Sequence, residues 1–289
     1  MDARAIGYRS RMTPPTLRPV GEQLREWRQR RRLSQLDLAG EADISTRHLS
    51  FVETGRAAPS REMLLRLFER LAVPLRERNA LLMAGGFAPM FRERRLDDPE
   101  LEAARRAIEL VLKGHGPYPA LAVDRHWHLA MMNDAVPLLL EGVAPELLQP
   151  PVNVLRLSLH PHGLAPRIVN LPEWRGHLLA RLHAEIVASA DAQLEALLHE
   201  LCAYPMPPGH LHEAAPLEAA GVAVPFQLRT ADGVLSFIGT TTVFGTPVDI
   251  TLSELALETF FPADEATAGA LQRAAARRAA SSAGAVVPA

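Results

Sequence analysis

The run LSQLDLAGEADISTRHLSFVETGRAAPS, residues 33–60, constrains the fold more than any other part of the chain. Leu36, Ala39, Ile44, Leu49 and Val52 are spaced to lock two short helices across one another at a steep angle, with Ala39 small where the second helix crosses close to the first. Ser34 and Ser45 stand where the two helices would begin, and a serine oxygen accepts an N–H that a first turn leaves unpaired. Packing explains that apolar set. It does not explain the polar residues left outward at the start of each helix: Gln35 on the first, and Ser45, Thr46, Arg47 and Ser50 on the second.

Three further helices complete this region. Residues 20–32 place Leu24 and Trp27 on one side and arginines around the other, Ser60 caps a stretch through residue 72, and residues 75–84 form the last before Gly85-Gly86. A Pro-rich and Arg-rich arm precedes them at 1–19, and the polar segment 87–97 reads as a linker. Residues 1–95 hold 19 Arg and Lys against 11 Asp and Glu, whereas the whole chain holds 31 against 33. A basic head on an acidic remainder is the charge layout of a nucleic-acid-binding module carried by a domain with another task. Arg28, Arg30, Arg31 and Arg32 face either water or phosphates.

The 33–60 run resembles the helix-turn-helix of the xenobiotic-response-element family, whose all-α five-helix fold is that of the phage lambda repressor. The resemblance implies that the second helix lies in the major groove of double-stranded DNA, with Thr46, Arg47, Ser50 and Phe51 as readers of base edges. It implies phosphate contacts from Gln35, Ser45 and Arg56, the first two helped by helix N-termini. The planar guanidinium of Arg47 suits the paired acceptors of guanine, and Phe51 suits a thymine methyl. The turn position that is usually Gly in that family is Asp43 here; Asp tolerates a left-handed backbone better than most residues, so the turn is expected to survive with strain. Gly55 is expected to end the reading helix.

Beyond the linker, Asp98 and Pro99 are set to cap and open a helix to about residue 112. Residues 120–123 and 127–131 with a turn between them read as a hairpin, 135–141 and 153–159 as helices, and 173–203 as one long helix with Leu178, Leu182, Ile186, Leu194, Leu197 and Leu201 on a shared face. Strands at 222–230, 234–244 and 248–260 follow, the first two joined at Asp232-Gly233. The order is α+β with an antiparallel sheet over residues 98–262. The Ala-rich tail, 263–289, shows no clear apolar face and is expected to be partly helical or without structure.

The segments PALAVDRHWHLAMMNDAVPLLL, NVLRLSLHP, LPEW and IGTTTVFGTPVDITLSELALETFFP resemble the ligand-binding domain of MmyB-like regulators, which has a PAS-like fold. That resemblance implies a cavity for a fatty-acid-like or other apolar small-molecule effector. Trp127, Asn133, Trp174 and Phe226 serve either as core and capping residues or as pocket lining. The apolar character of Leu121, Val123, Leu129, Phe226, Phe237, Ile238 and Val243 across the sheet favours an aliphatic or aromatic molecule over a sugar. The pairs His126/His128, His160/His162 and His210/His212 raise a metal site, since His-x-His in a strand puts both rings on one face, but no carboxylates cluster with them in sequence, and neither metal nor cofactor is expected.

Phosphate loop, nucleophile elbow and HExxH motifs are missing, so no enzyme is expected. One cysteine, Cys202, allows no intramolecular disulfide, and neither an exported leader nor a membrane span is read, so the expectation is a cytoplasmic protein. The sequence therefore predicts a one-component transcription regulator, a homodimer on DNA because one short helix reads few base pairs. The alternative is a DNA-binding adaptor or antitoxin-like protein whose second domain holds another protein.

Overall fold

In the computed structural model, which describes residues 18–207, 224–245 and 249–284, the three expected caps form. Ser34 Oγ accepts from Asp37 N at 3.1 Å, Ser45 Oγ from His48 N at 3.1 Å and Ser60 Oγ from Met63 N at 3.2 Å. The Asp37 carboxylate returns a bond to Ser34 N, closing a capping box. The helices so started are α2 (Gln35–Glu41), α3 (Thr46–Glu53) and α4 (Arg61–Arg70); α1 (Val20–Arg30) precedes them and α5 (Leu75–Ala84) follows. Asp43 has φ 53° in the α2–α3 turn, the left-handed state expected of it, and Gly55 with φ 72° follows α3. The chain divides between Phe91 and Arg92 into two compact units.

The first unit's core gathers Leu24, Leu38, Leu49, Val52, Leu67 and Phe68, each almost fully buried. Burying such a side chain contributes about 1.5–3 kcal/mol. Leu36 is not among them. It is 70% exposed, and Leu38 takes the buried position, because the phase set by the Ser34 cap turns residues 38 and 39 inward. At the end of this unit Asn79 ties down the chain, its Oδ1 accepting from Met90 N and Phe91 N and its Nδ2 donating to Phe91 O. Residues 92–94 are held in turn by the second unit, where Ile250 N donates to Arg92 O and Arg94 pairs with buried Asp249. The expected linker is thus bonded at both of its ends.

In the second unit a short 3-10 turn (Pro99–Leu101) leads into α6 (Glu102–Gly114). Asp98 does not cap it with its side chain, which accepts from Arg95 N instead. The hairpin is β1 (Ala120–Val123) and β2 (Leu129–Met132); β3 (Phe226–Thr230), β4 (Gly233–Val243) and β5 (Ala256–Pro262) complete a sheet of order β2-β1-β5-β4-β3, antiparallel throughout. Residues 136–140 form a 3-10 helix, and Asn153 caps α7 (Val154–Leu159) through its Oδ1. The last expected strand begins late: residues 250–253 make a helical turn, α10 (Ile250–Ser253), capped by Asp249. Residues 222, 223 and 248, and the pair His210/His212, lie outside the described residues.

The long helix is two. α8 (Leu171–Ser189) stops at Ala190, which adopts φ 62°, and Asp191 caps α9 (Ala192–Ala203). Arg175 donates to Leu201 O and Cys202 O, so the two run antiparallel, and all six expected leucine and isoleucine positions are still buried. Of the Ala-rich tail, residues 265–284 are also a helix, α11 (Glu265–Gly284), and residues 285–289 lie outside the described residues. Ala270 and Leu271 join the sheet's own core cluster and Thr267 Oγ accepts from Ser236 N, so small residues suffice where a helix lies close against a strand.

The sheet has two different faces. Leu257, Ala120 and Ala122 pack with Ile108 and Leu112 of α6 on one side. Phe237, Phe226 and Phe260 face the helical layer of α7 and α8 on the other. Ile238 and Val243, expected among the apolar set of the sheet interior, are 41% and 62% exposed: Ile238 alternates with Phe237 to the opposite face of β4, and Val243 ends the strand.

Candidate DNA-reading helix and apolar cavity

Helix α3 buries Leu49, Val52 and Glu53 and leaves Arg47 and His48 exposed and Thr46, Ser50 and Phe51 half-exposed. Two arginines converge on one ring: the Arg47 guanidinium carbon lies 5.3 Å from the Phe51 ring centre and that of Arg56 6.0 Å away. Contacts of that kind restrict long side chains while leaving their N–H groups free for an acceptor. Arg47 and Phe51, two of the residues expected to read base edges, are thereby coupled, and Arg56 is held beside them. Exposed His48, which is not among the residues expected from the sequence, sits in the first turn of α3 too.

Two of the basic residues, Arg28 and Arg31, prove to be structural. Arg28 donates from Nε and Nη2 to both oxygens of Glu53 at 2.6 and 2.9 Å, and Arg31 donates to Leu71 O and Ala72 O. Gln35, which the resemblance assigns to a phosphate, donates its Nε2 to Glu53 Oε2 at 2.7 Å. Glu53 thus ties α1, α2 and α3 together at the end of α3. Arg47→Ala is expected to remove about 1–3 kcal/mol of discrimination at one base pair, the usual loss for a bidentate base contact. Selection of sites from a random DNA library should show the logo flattened at one position; an unchanged logo would refute the assignment.

The second unit encloses a partly open cavity of about 300 Å³ between the sheet and helices α7 and α8. Leu121, Leu129, Leu139, Val154, Leu178 and Phe260 represent a lining that is mostly apolar. Trp127, Trp174 and Phe226, three of the residues named from sequence, line it as well. Asn133 does not. Its amide is consumed in fastening the β1 and β2 ends, donating to Leu112 O and Tyr118 O and accepting from Ala120 N and Ala135 N.

Trp127 is held by its surroundings in a left-handed backbone, φ 65°. Its N–H bonds Asp124 O, its C=O accepts from Val154 N, and its indole Nε1 donates to Glu185 Oε2 at 2.8 Å. The guanidinium of Arg181 stacks on the same ring at 4.4 Å. A left-handed non-glycine costs of order 1–3 kcal/mol and persists only where surrounding contacts over-determine it, as they do here. Trp174 Nε1 donates to Ser158 Oγ at 2.9 Å, and its ring stacks with His177. The polar groups at the cavity, Ser158, His177, Arg181, Thr241 and Glu258, went unnamed in the sequence reading. The available signal was the spacing of Trp174, His177, Leu178 and Arg181, one face of a single helix.

His126 and His128 are not in a strand. They flank Trp127 in the turn before β2, where Asp124 Oδ1 accepts both of their N–H groups at 2.8 Å. Their ring nitrogens and the Asp124 carboxylate lie within 4.8 Å of one another, a clustering of carboxylate and imidazole that only the turn creates. The rings already have partners: His126 Nε2 meets Asp191 Oδ2 at 2.9 Å and His128 Nδ1 meets Asp124 Oδ2 at 3.1 Å.

A capped helix presenting arginine and small polar groups, and a separate sheet-backed unit around an apolar cavity, define a DNA-binding regulator with a ligand-binding domain. Comparison agrees: a helix-turn-helix domain model matches residues 19–81, and that of the MmyB-like transcription regulator ligand binding domain matches residues 104–274. The latter spans more than half of the chain, which belongs to the family of MmyB-like transcription regulators. No curated protein is similar enough to the chain to match it. The second family match runs into α11, in keeping with the packing of that helix on the sheet.

Proposed function

We propose that the protein is a one-component transcription regulator that binds its operator as a homodimer through α3 and is controlled by an apolar small molecule, fatty-acid-like in its hydrocarbon body, held in the second unit. The cavity between sheet and α8 carries this reading: its size and mostly apolar walls suit a medium to long acyl chain or an equivalent hydrocarbon. An effector acts only by binding two conformations unequally, since equal affinity for both shifts no equilibrium. No catalysis is assigned to the second unit, and a protein partner in its place has no observation of comparable weight.

Saturation with such a ligand at a hundredfold excess over Kd stabilises a folded protein by about 2.7 kcal/mol, and about 5–10 °C is the corresponding rise in melting temperature for a unit of this size. Thermal scans of the full chain against a panel of apolar compounds test it. A rise with none of them, together with no co-purifying lipid in organic extracts, would remove the effector reading. The homodimer is expected because twofold pairing of short reading helices is the usual route to sufficient specificity. Light scattering that reports a monomer both free and on selected DNA would refute it.

A further inference from the structure

The polar end of the cavity carries hydrogen-bond donors but no net positive charge. Arg181 is the cation there, and two carboxylates already hold it: Nη1 and Nη2 donate to Glu258 Oε2 and Oε1 at 3.0 and 2.6 Å, and Nε lies 3.4 Å from Glu185 Oε1. Thr241 Oγ adds its own donation to Glu258, 3.1 Å from each oxygen. Glu258 is buried under these partners, and Glu185 is further fixed by the Trp127 indole. One guanidinium facing two carboxylates leaves the wall neutral to negative. Enclosure in the wall, then the charge of Arg181, holds the His177 imidazole below its usual value, so His177 adds no cation at neutral pH.

What remains available is hydrogen bonding. Ser158 Oγ accepts from Trp174 Nε1, and among the described residues its own hydroxyl proton has no acceptor. Neither ring nitrogen of His177 has a hydrogen-bond partner among them either, and of the guanidinium N–H groups of Arg181 two donate to Glu258, with Nε in an ion pair to Glu185. Transfer of an ionised carboxylate into a site of this kind, with no free cation to receive it, is strongly disfavoured, whereas an uncharged oxygen loses only hydrogen bonds that the site replaces.

We propose that the cavity selects a ligand with an apolar body and an uncharged, hydrogen-bond-accepting head, such as an ester, lactone, amide, ketone or alcohol, over the carboxylate of the same chain length, with Ser158, His177 and the spare N–H groups of Arg181 as its partners. The inference rests on the effector reading above and gives it a head-group chemistry.

The test holds the hydrocarbon constant. Dodecanol, methyl dodecanoate, dodecanoate and dodecylammonium are titrated below their micelle thresholds into the full chain in mildly alkaline buffer, with calorimetry or competition against a fluorescent apolar probe as readout. The neutral pair is expected to bind on the order of tenfold or more tightly than dodecanoate and than dodecylammonium. Glu258→Gln, which keeps the shape and an acceptor for Arg181 but removes one of its two counter-charges, is expected to narrow the gap in favour of dodecanoate, and Glu258→Gln combined with Glu185→Gln, which leaves the guanidinium without a counter-charge, to reverse the order. Glu185→Gln, with Trp127 still able to donate to the amide oxygen, is expected to shift it the same way and serves if Glu258→Gln does not fold. Dodecanoate binding as tightly as the alcohol to the parent chain would overturn the proposal, as would dodecylammonium binding best. Binding by none of the four would instead overturn the effector reading on which it rests.

Discussion

Replacing Glu53 by alanine is expected to destabilise the first unit by about 3–5 kcal/mol, the usual loss when one member of a buried ion pair is removed and the other left without compensation. The Glu53 side chain is 1% exposed and that of Arg28 11%, and Gln35 shares the same carboxylate. Alanine would strand the guanidinium between α1 and α3 and release the N-terminal turn of α2. Removing both partners together, as Arg28→Met with Glu53→Leu, should cost much less than the sum of the single changes, because no charge is left buried. Urea unfolding of the full chain, with hydrogen exchange resolving α1 to α5, measures it. A loss below about 1 kcal/mol for Glu53→Ala, the range of an exposed pair, would mean that the contact is not the anchor it is taken to be.

The second large effect is steric. Gly21, in the first turn of α1, lies so near α3 that a Cβ built on it would stand 2.1 Å from Val52 O. Overpacking usually costs about 1–3 kcal/mol and sometimes more, and Gly21→Val belongs at the upper end because the atom it meets is a backbone carbonyl that cannot rotate away. The helix forced to move is the reading helix, so DNA affinity should fall by more than the stability loss alone explains. Gly40→Ala, on α2 with nothing near its would-be Cβ, is the control and should be neutral or slightly stabilising. Equal melting temperatures for Gly21→Val and the parent would contradict the close α1–α3 packing.

The first unit was legible because its information is local. Three serine caps, an apolar pattern and one left-handed Asp specify five helices without reference to distant residues, and the resemblance added their use. The one core error, Leu36 for Leu38, is a phase error: both are leucines two apart at the start of a seven-residue helix, and only the capping geometry separates them.

The second unit was legible as a class and less so as a site. The break at Ala190 had no glycine or proline to announce it, since the left-handed cap was taken by an alanine and compensated by Asp191 on the next helix. Asn133 looked like pocket lining because a polar residue at a strand end can serve either purpose, and its four bonds to backbone groups settle which. The Arg181–Glu258–Thr241 group joins residues from α8, β4 and β5 that are far apart in the chain, so no sequence spacing could assemble it. The three aromatic residues were recoverable because large apolar side chains either fill a sheet's inner face or line whatever space is left there.

If occupancy of the second unit sets DNA affinity in the first, operator affinity must differ with and without ligand. The operator comes from selection against a random library, and the ligand is the tightest binder from the apolar panel, at saturation. A change of about 5–150-fold is expected in the full chain, the usual range of coupling between two sites. A variant with the cavity filled, such as Leu178→Trp, is expected to lose the response while still binding DNA. Unchanged operator affinity at demonstrated saturation of the cavity would contradict the claim, leaving a DNA-binding protein that carries a ligand without sensing it.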